Sequence, residues 1–259
     1  MKRLLVIFGF LLLFGAARFS FERGLMRDYR AARFHGAELG LPMRQVLGQA
    51  GFVAALSGFR SIVADYYWLQ SHTAWQSTQW GRMKLLFDAV TTLQPRALLF
   101  WDGAAWHMGW NASVAALQDE TQPREALRIR AQREYFRLAE DYLLRGIGNN
   151  PDRAMLFDRL GLLYSTKMED HCRAAWAYGE AAKRQDAMGY VHRFAAYELA
   201  KCPGHEREAY ELLRALYLQG EDERLPTLLR LLKESQIKLN IPEGERIDIT
   251  ADLKKATPR

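Results

Sequence analysis

Helix-breaking residues recur at wide intervals along this chain, and between them apolar residues follow a helical period without strand-like alternation. Leu93-Gln94-Pro95, Asn149-Asn150-Pro151-Asp152 and Lys201-Cys202-Pro203-Gly204 are the clearest breaks. Proline lacks a backbone donor and disfavours helix in the residue before it, so each marks a junction between helices. Asp119 to Pro123 and Gln185 to Gly189 add further breaks. Such punctuation leaves few folds open. The expectation is an all-α body of antiparallel helix pairs over residues 42–238, entered through Gly40-Leu41-Pro42 and followed by an extended tail over 239–259.

One stretch has a finer pattern. Phe157, Leu160, Gly161 and Tyr164 are followed by Ala174, Tyr178 and Ala181, which places small residues where two helices meet and aromatic rings beside them. This spacing resembles the tetratricopeptide repeat, with a one-residue insertion and Asp186 standing where that family usually has proline. Trp101, Ala139 and Pro151 suit a preceding, expanded unit whose long second helix runs from Arg124 to Ile147. Phe87 and Pro95 suit an earlier unit, and Ala209, Leu213 and Leu216 a later one. The block Gly58-Phe59-Arg60 with Ala64 to Leu69 also resembles the opening of a group of bacterial membrane-anchored repeat proteins. The resemblance covers roughly residues 58 to 220 and implies a repeat solenoid whose first helices line a concave, peptide-binding face. Carried over by position, that face takes Trp68, Asp102, Trp106, Met155, Asp158, Leu162, Ser165 and Arg193. Asp102 and Asp158 fall at equivalent places and would offer paired carboxylates to a basic or amide-rich partner; solvated or intrahelical ion pairs are the plainer reading.

The amino-terminal region, residues 1–35, reads as a membrane anchor with a juxtamembrane helix. Met1-Lys2-Arg3 precedes the apolar run Leu4 to Ala17, about 21 Å of helix against a roughly 30 Å hydrocarbon core. Phe19 and Phe21 extend it if Arg18 snorkels to the head groups. A cleaved secretory signal has the same ingredients. Arg18 directly after the small residues, and the unbroken amphipathic run to Phe34, favour retention as a transmembrane helix. Lys2, Arg3 and the short tail favour a cytoplasmic amino terminus, against five later arginines. The expected location is therefore a bacterial inner membrane with a periplasmic body.

That compartment bears on the cysteines. Cys172 begins one expected helix and Cys202 ends the next, so in an antiparallel pair both lie at the same end. A disulfide is plausible there if the body is exported. His171 and His205 flank the site, which makes a metal centre conceivable although adjacent His171 and Cys172 converge poorly on a tetrahedron. Free thiols are the cytoplasmic alternative.

Net charge is +6, but arginines are spread among Asp and Glu instead of gathered on one run, which argues against nucleic acid. No phosphate loop, dinucleotide fingerprint, nucleophile elbow or His-Glu metal helix occurs. Neither a cofactor nor a catalytic site is expected. Asp65, within the apolar run Ile62 to Leu69, reads as a buried hydrogen-bonding or ion-pairing group, and otherwise as a catalytic carboxylate with His72 and Trp106 near it. The dense aromatic stretch of Trp101, Trp106, His107 and Trp110 reads as packing. The functional expectation is a membrane-anchored, non-enzymatic scaffold holding a protein or peptide partner in an envelope complex. An enzyme or small-ligand protein, and a structural subunit of a membrane assembly, are the alternatives.

Overall fold

The computed structural model describes residues 58–252, together with Gly48. The expected anchor over residues 1–35 lies outside them. Among the described residues no helix is long and apolar enough to cross a membrane. They form packed helix pairs without strands. The chain divides into two compact units between Phe100 and Trp101, where the sequence led us to expect one continuous body.

In the first unit, α1 (Arg60–Gln76) packs against α2 (Trp80–Leu93). Met83, Phe87, Val90 and Leu93 recur along one face of α2 and are buried, the three-to-four-residue spacing of an amphipathic helix. Val63 and Ala64 of α1 meet Ala89, Val90 and Leu93. With Ser71 and Ala74, Val63 and Ala64 are the buried residues of α1, a narrow strip along the helix. Ile62, Tyr66 and Leu69 are all more than half exposed. Asp65 is exposed too, correcting the expectation of a buried carboxylate: its apolar neighbours face outward with it.

The unit boundary falls inside α3 (Leu98–Trp106). A π-helical turn (His107–Ala112) and the short α4 (Ser113–Leu117) continue the chain, which returns along the 25-residue α5 (Glu125–Asn149). Phe136, Ala139, Tyr142, Leu143 and Gly146 form the buried stripe of α5. A Cβ on Gly146 would lie 2.8 Å from the Trp101 ring, so this helix seats against Trp101 only with glycine there.

Next come α6 (Ala154–Thr166), α7 (His171–Ala182), α8 (Tyr190–Leu199), α9 (Glu206–Gln219) and α10 (Pro226–Lys238), each packed on its successor except α10, the last. α6 is buried nearly all round. Gly161 admits the Tyr178 ring so closely that a Cβ would sit 2.8 Å from it. Asp170 caps α7 by accepting from the Arg173 N–H at 2.9 Å. Asp186 explains the missing proline: its carboxylate accepts from the Ala154 N–H and from Arg153 Nε, tying the closing turn of the α6–α7 pair to its start.

The stretch 239–252, expected to be extended, packs instead. Ile241 and Ile249 are buried in a cluster with Leu213, Leu228 and Leu232, and Gln236 exchanges hydrogen bonds with Ile247. Burial of two isoleucines outweighs the lack of regular backbone pairing; each side chain contributes about 1.5–3 kcal/mol.

Candidate functional site

Side chains from α3, α6 and α8 meet in a polar ladder. Arg159 of α6 donates through Nε to Asp102 Oδ1 on α3 at 3.1 Å, and its terminal nitrogen lies 3.6 Å from Asp158. Tyr190 of α8 donates its hydroxyl to Asp158 Oδ2 at 2.8 Å. Two carboxylates thus share one half-exposed guanidinium. Burial raises the pKa of Asp102, with Arg159 pulling it back and Asp158 adding to the rise. Burial likewise raises Asp158 against the opposing Tyr190 hydrogen bond and the Arg159 charge. The Tyr178 hydroxyl is raised by burial and then by the charges of Asp158 and Glu198.

Aromatic rings flank the ladder. Trp106, one turn after Asp102, is 45% exposed and stacks on Trp110 with centroids 4.7 Å apart. The π-helical turn sets this register, and His107 Nδ1 and Asn111 pair across it at 2.9 Å. On the α8 side, Phe194 lies between Tyr178 and Tyr190 at 5.4 and 5.3 Å.

The expected face residues divide accordingly. Asp102, Asp158 and Trp106 belong to the ladder and its platform. Met155 and Leu162 of α6 are half-buried. Ser165 hydrogen-bonds Glu198. Arg193 donates through one terminal nitrogen to both carboxylate oxygens of Glu223 at 3.0 Å. Trp68 belongs to the first unit, where it packs between Phe87 and Phe100 at 5.7 and 5.2 Å; it fills a core gap. Sequence reasoning missed Arg159, Tyr190 and Phe194. Arg159 follows Asp158 directly, and a cation next to a carboxylate in an otherwise apolar helix was the available signal.

At one end of this face, Cys172 and Cys202 form a disulfide with a Cα–Cα distance of 4.9 Å. Glu198 beside it is buried and accepts from His171 Nδ1 at 2.6 Å and Lys201 Nζ at 2.9 Å. Burial pushes the Glu198 carboxyl up, but these hydrogen bonds outweigh it and hold the pKa below the ordinary value. Ser165 and His171 both hydrogen-bond this glutamate. His205 pairs with Glu208, and among the described residues no group of three or more His, Cys, Asp or Glu could hold a metal ion.

No family model, curated protein or solved structure matches the chain.

Proposed function

We propose that the protein is a non-enzymatic, membrane-anchored scaffold of tetratricopeptide-like architecture that holds a protein or peptide segment on the α3–α6–α8 face. The carrying observation is the ladder itself. Asp102, Arg159, Asp158 and Tyr190 connect three helices that are not consecutive in the chain, α3 to α6 to α8. In stacked helix pairs, such lateral contacts join the first helices of successive pairs, the surface on which repeat proteins bind extended segments. Exposed rings and a net negative ladder suit a segment with basic or amide side chains, with the rings as anchors. The apolar run Leu4 to Ala17 supports a bacterial inner-membrane anchor, and the Cys172–Cys202 disulfide supports a periplasmic body.

A photocrosslinking residue placed at Trp106, and separately at Trp176 on α7, tests this in intact cells. The expected result is a defined adduct from position 106 that disappears when Arg159→Glu is added, at a temperature where circular dichroism shows the less stable variant still folded. Identical adducts from both positions, or none from 106, would overturn the assignment.

A further inference from the structure

Beside the aromatic platform, α4, α5 and the turn after α6 line a half-open cleft of about 580 Å³. Leu117, Ile129, Phe136 and Met168 give it an apolar wall. Arg133, Arg137 and Lys167 line it as cations, against the single carboxylate of Glu169. We propose that it binds a small amphipathic anion, a phosphate or carboxylate head carried on a short hydrocarbon chain.

The charge pattern of α5 points this way. Arg133 and Arg137 stand four residues apart on one helix face, a like-charge spacing that costs helix stability. The carboxylates of α5 itself are committed elsewhere, Glu134 to Arg130 at 3.1 Å, Glu140 to Arg173 at 2.7 Å and Asp141 to Arg145 at 2.8 Å, which leaves Glu169 as one carboxylate against three cations. Neither Arg133 nor Arg137 makes an ion pair or hydrogen bond among the described residues. Among the described residues the Lys167 ammonium has only a ring contact, 5.5 Å from the Trp110 centroid. One turn before Gln132 of the lining, Arg128 Nε is buried without a hydrogen-bond partner among the described residues. An anionic head shared by Arg133, Arg137 and Lys167 would relieve the repulsion through charge-assisted hydrogen bonds. Phe136 and Met168 would cover the tail. The volume falls in the range of small-molecule sites, about 300–1,000 Å³. A bare anion would leave the apolar wall wet, and a neutral amphiphile would leave the cations unpaired.

Full-length protein in phosphatidylcholine nanodiscs, titrated calorimetrically with octyl phosphate against empty discs, tests the proposal. Saturable binding is expected, at least about tenfold tighter than for inorganic phosphate or octyl glucoside, and weakened at least about tenfold in Arg133→Ser/Arg137→Ser. Those arginines are exposed, so the variant should keep its melting temperature; Lys167→Gln provides a second, independent loss. Repeating the titration in discs containing phosphatidic acid separates the sources: competition identifies a bilayer headgroup, and no competition a dissolved amphiphile. Equal binding of octyl phosphate and inorganic phosphate reduces the cluster to a solvated cationic face and overturns the proposal. So does binding of an acidic peptide with none of octyl phosphate, which makes the cavity a protein contact.

Discussion

The backbone N–H of Ala154 donates to Asp186 Oδ1 at 2.9 Å, so the residue that closes the α6–α7 pair also caps the helix that opens it. Arg153 Nε adds an ion pair to the same carboxylate at 2.6 Å. The Ala154 bond, and then Arg153, hold the Asp186 pKa below its ordinary value.

Asp186→Ala should therefore destabilise the body by about 1 kcal/mol, the usual worth of a lost cap. Asp186→Asn should lose less. A carboxyl with a lowered folded pKa contributes stability above the unfolded value, about 3.9, and loses it as pH falls through the folded one. Denaturation at pH 7 and pH 3 checks this: the gap between wild type and Asp186→Ala should narrow in acid.

Gly161→Ala should cost about 1–3 kcal/mol, because the added methyl meets the Tyr178 ring 2.8 Å away. A double-mutant cycle with Tyr178→Leu separates this clash from helix propensity. The pair should recover part of the loss, since truncating the ring relieves the overlap. Independent, additive effects would place the cost of the alanine elsewhere.

Replacing Cys172 and Cys202 by serine should cost roughly 3–4 kcal/mol, the loop-closure contribution of a bridge spanning 30 residues. Reductant should destabilise the wild type by a similar amount and leave the serine variant unmoved. Thiol labelling in intact and permeabilised cells, with and without reductant, then reports the compartment. Wild-type thiols that label without reductant, once cells are permeabilised, would contradict the bridge and the periplasmic assignment together.

Arg159→Gln should destabilise by about 2 kcal/mol at pH 7, by stranding Asp102 and Asp158 without their shared cation. Both carboxyls already sit above their ordinary pKa, and losing the guanidinium raises them further. A raised carboxyl contributes stability below the unfolded pKa and loses it as pH rises through the folded one. The deficit of Arg159→Gln should accordingly shrink as pH is lowered towards the ordinary aspartate range. A pH-independent deficit would mean that packing of the arginine stem, and not its charge, matters there.

The helix junctions were legible because proline, glycine and asparagine act locally: Asn149 to Pro151 and Cys202 to Gly204 close helices where their chemistry requires it. The Gly161 contact was legible because small residues opposite aromatic ones leave a helical-period signature. Arg159 was not, since its carboxylate partner on α3 lies 57 residues away. Asp65 misled because apolar neighbours imply burial only if the whole face is covered, and α2 covers a strip. The packed tail was hidden because Ile241 and Ile249 are separated by irregular chain with no period to read. The cationic cavity needed three separate elements to converge, which no local pattern records.

The Asp186–Ala154 bond has a kinetic side. It closes a loop of 32 residues around the α6–α7 pair, and Arg184 reaches back to the Pro151 carbonyl at 3.1 Å across the same closure. Closing this segment costs less chain entropy than the 57-residue reach from Asp102 to Arg159, and the contacts it brings together are immediately rewarded. The α6–α7 pair is thus suited to form early and template the helices on either side. Asp186→Ala should then slow refolding more than it speeds unfolding.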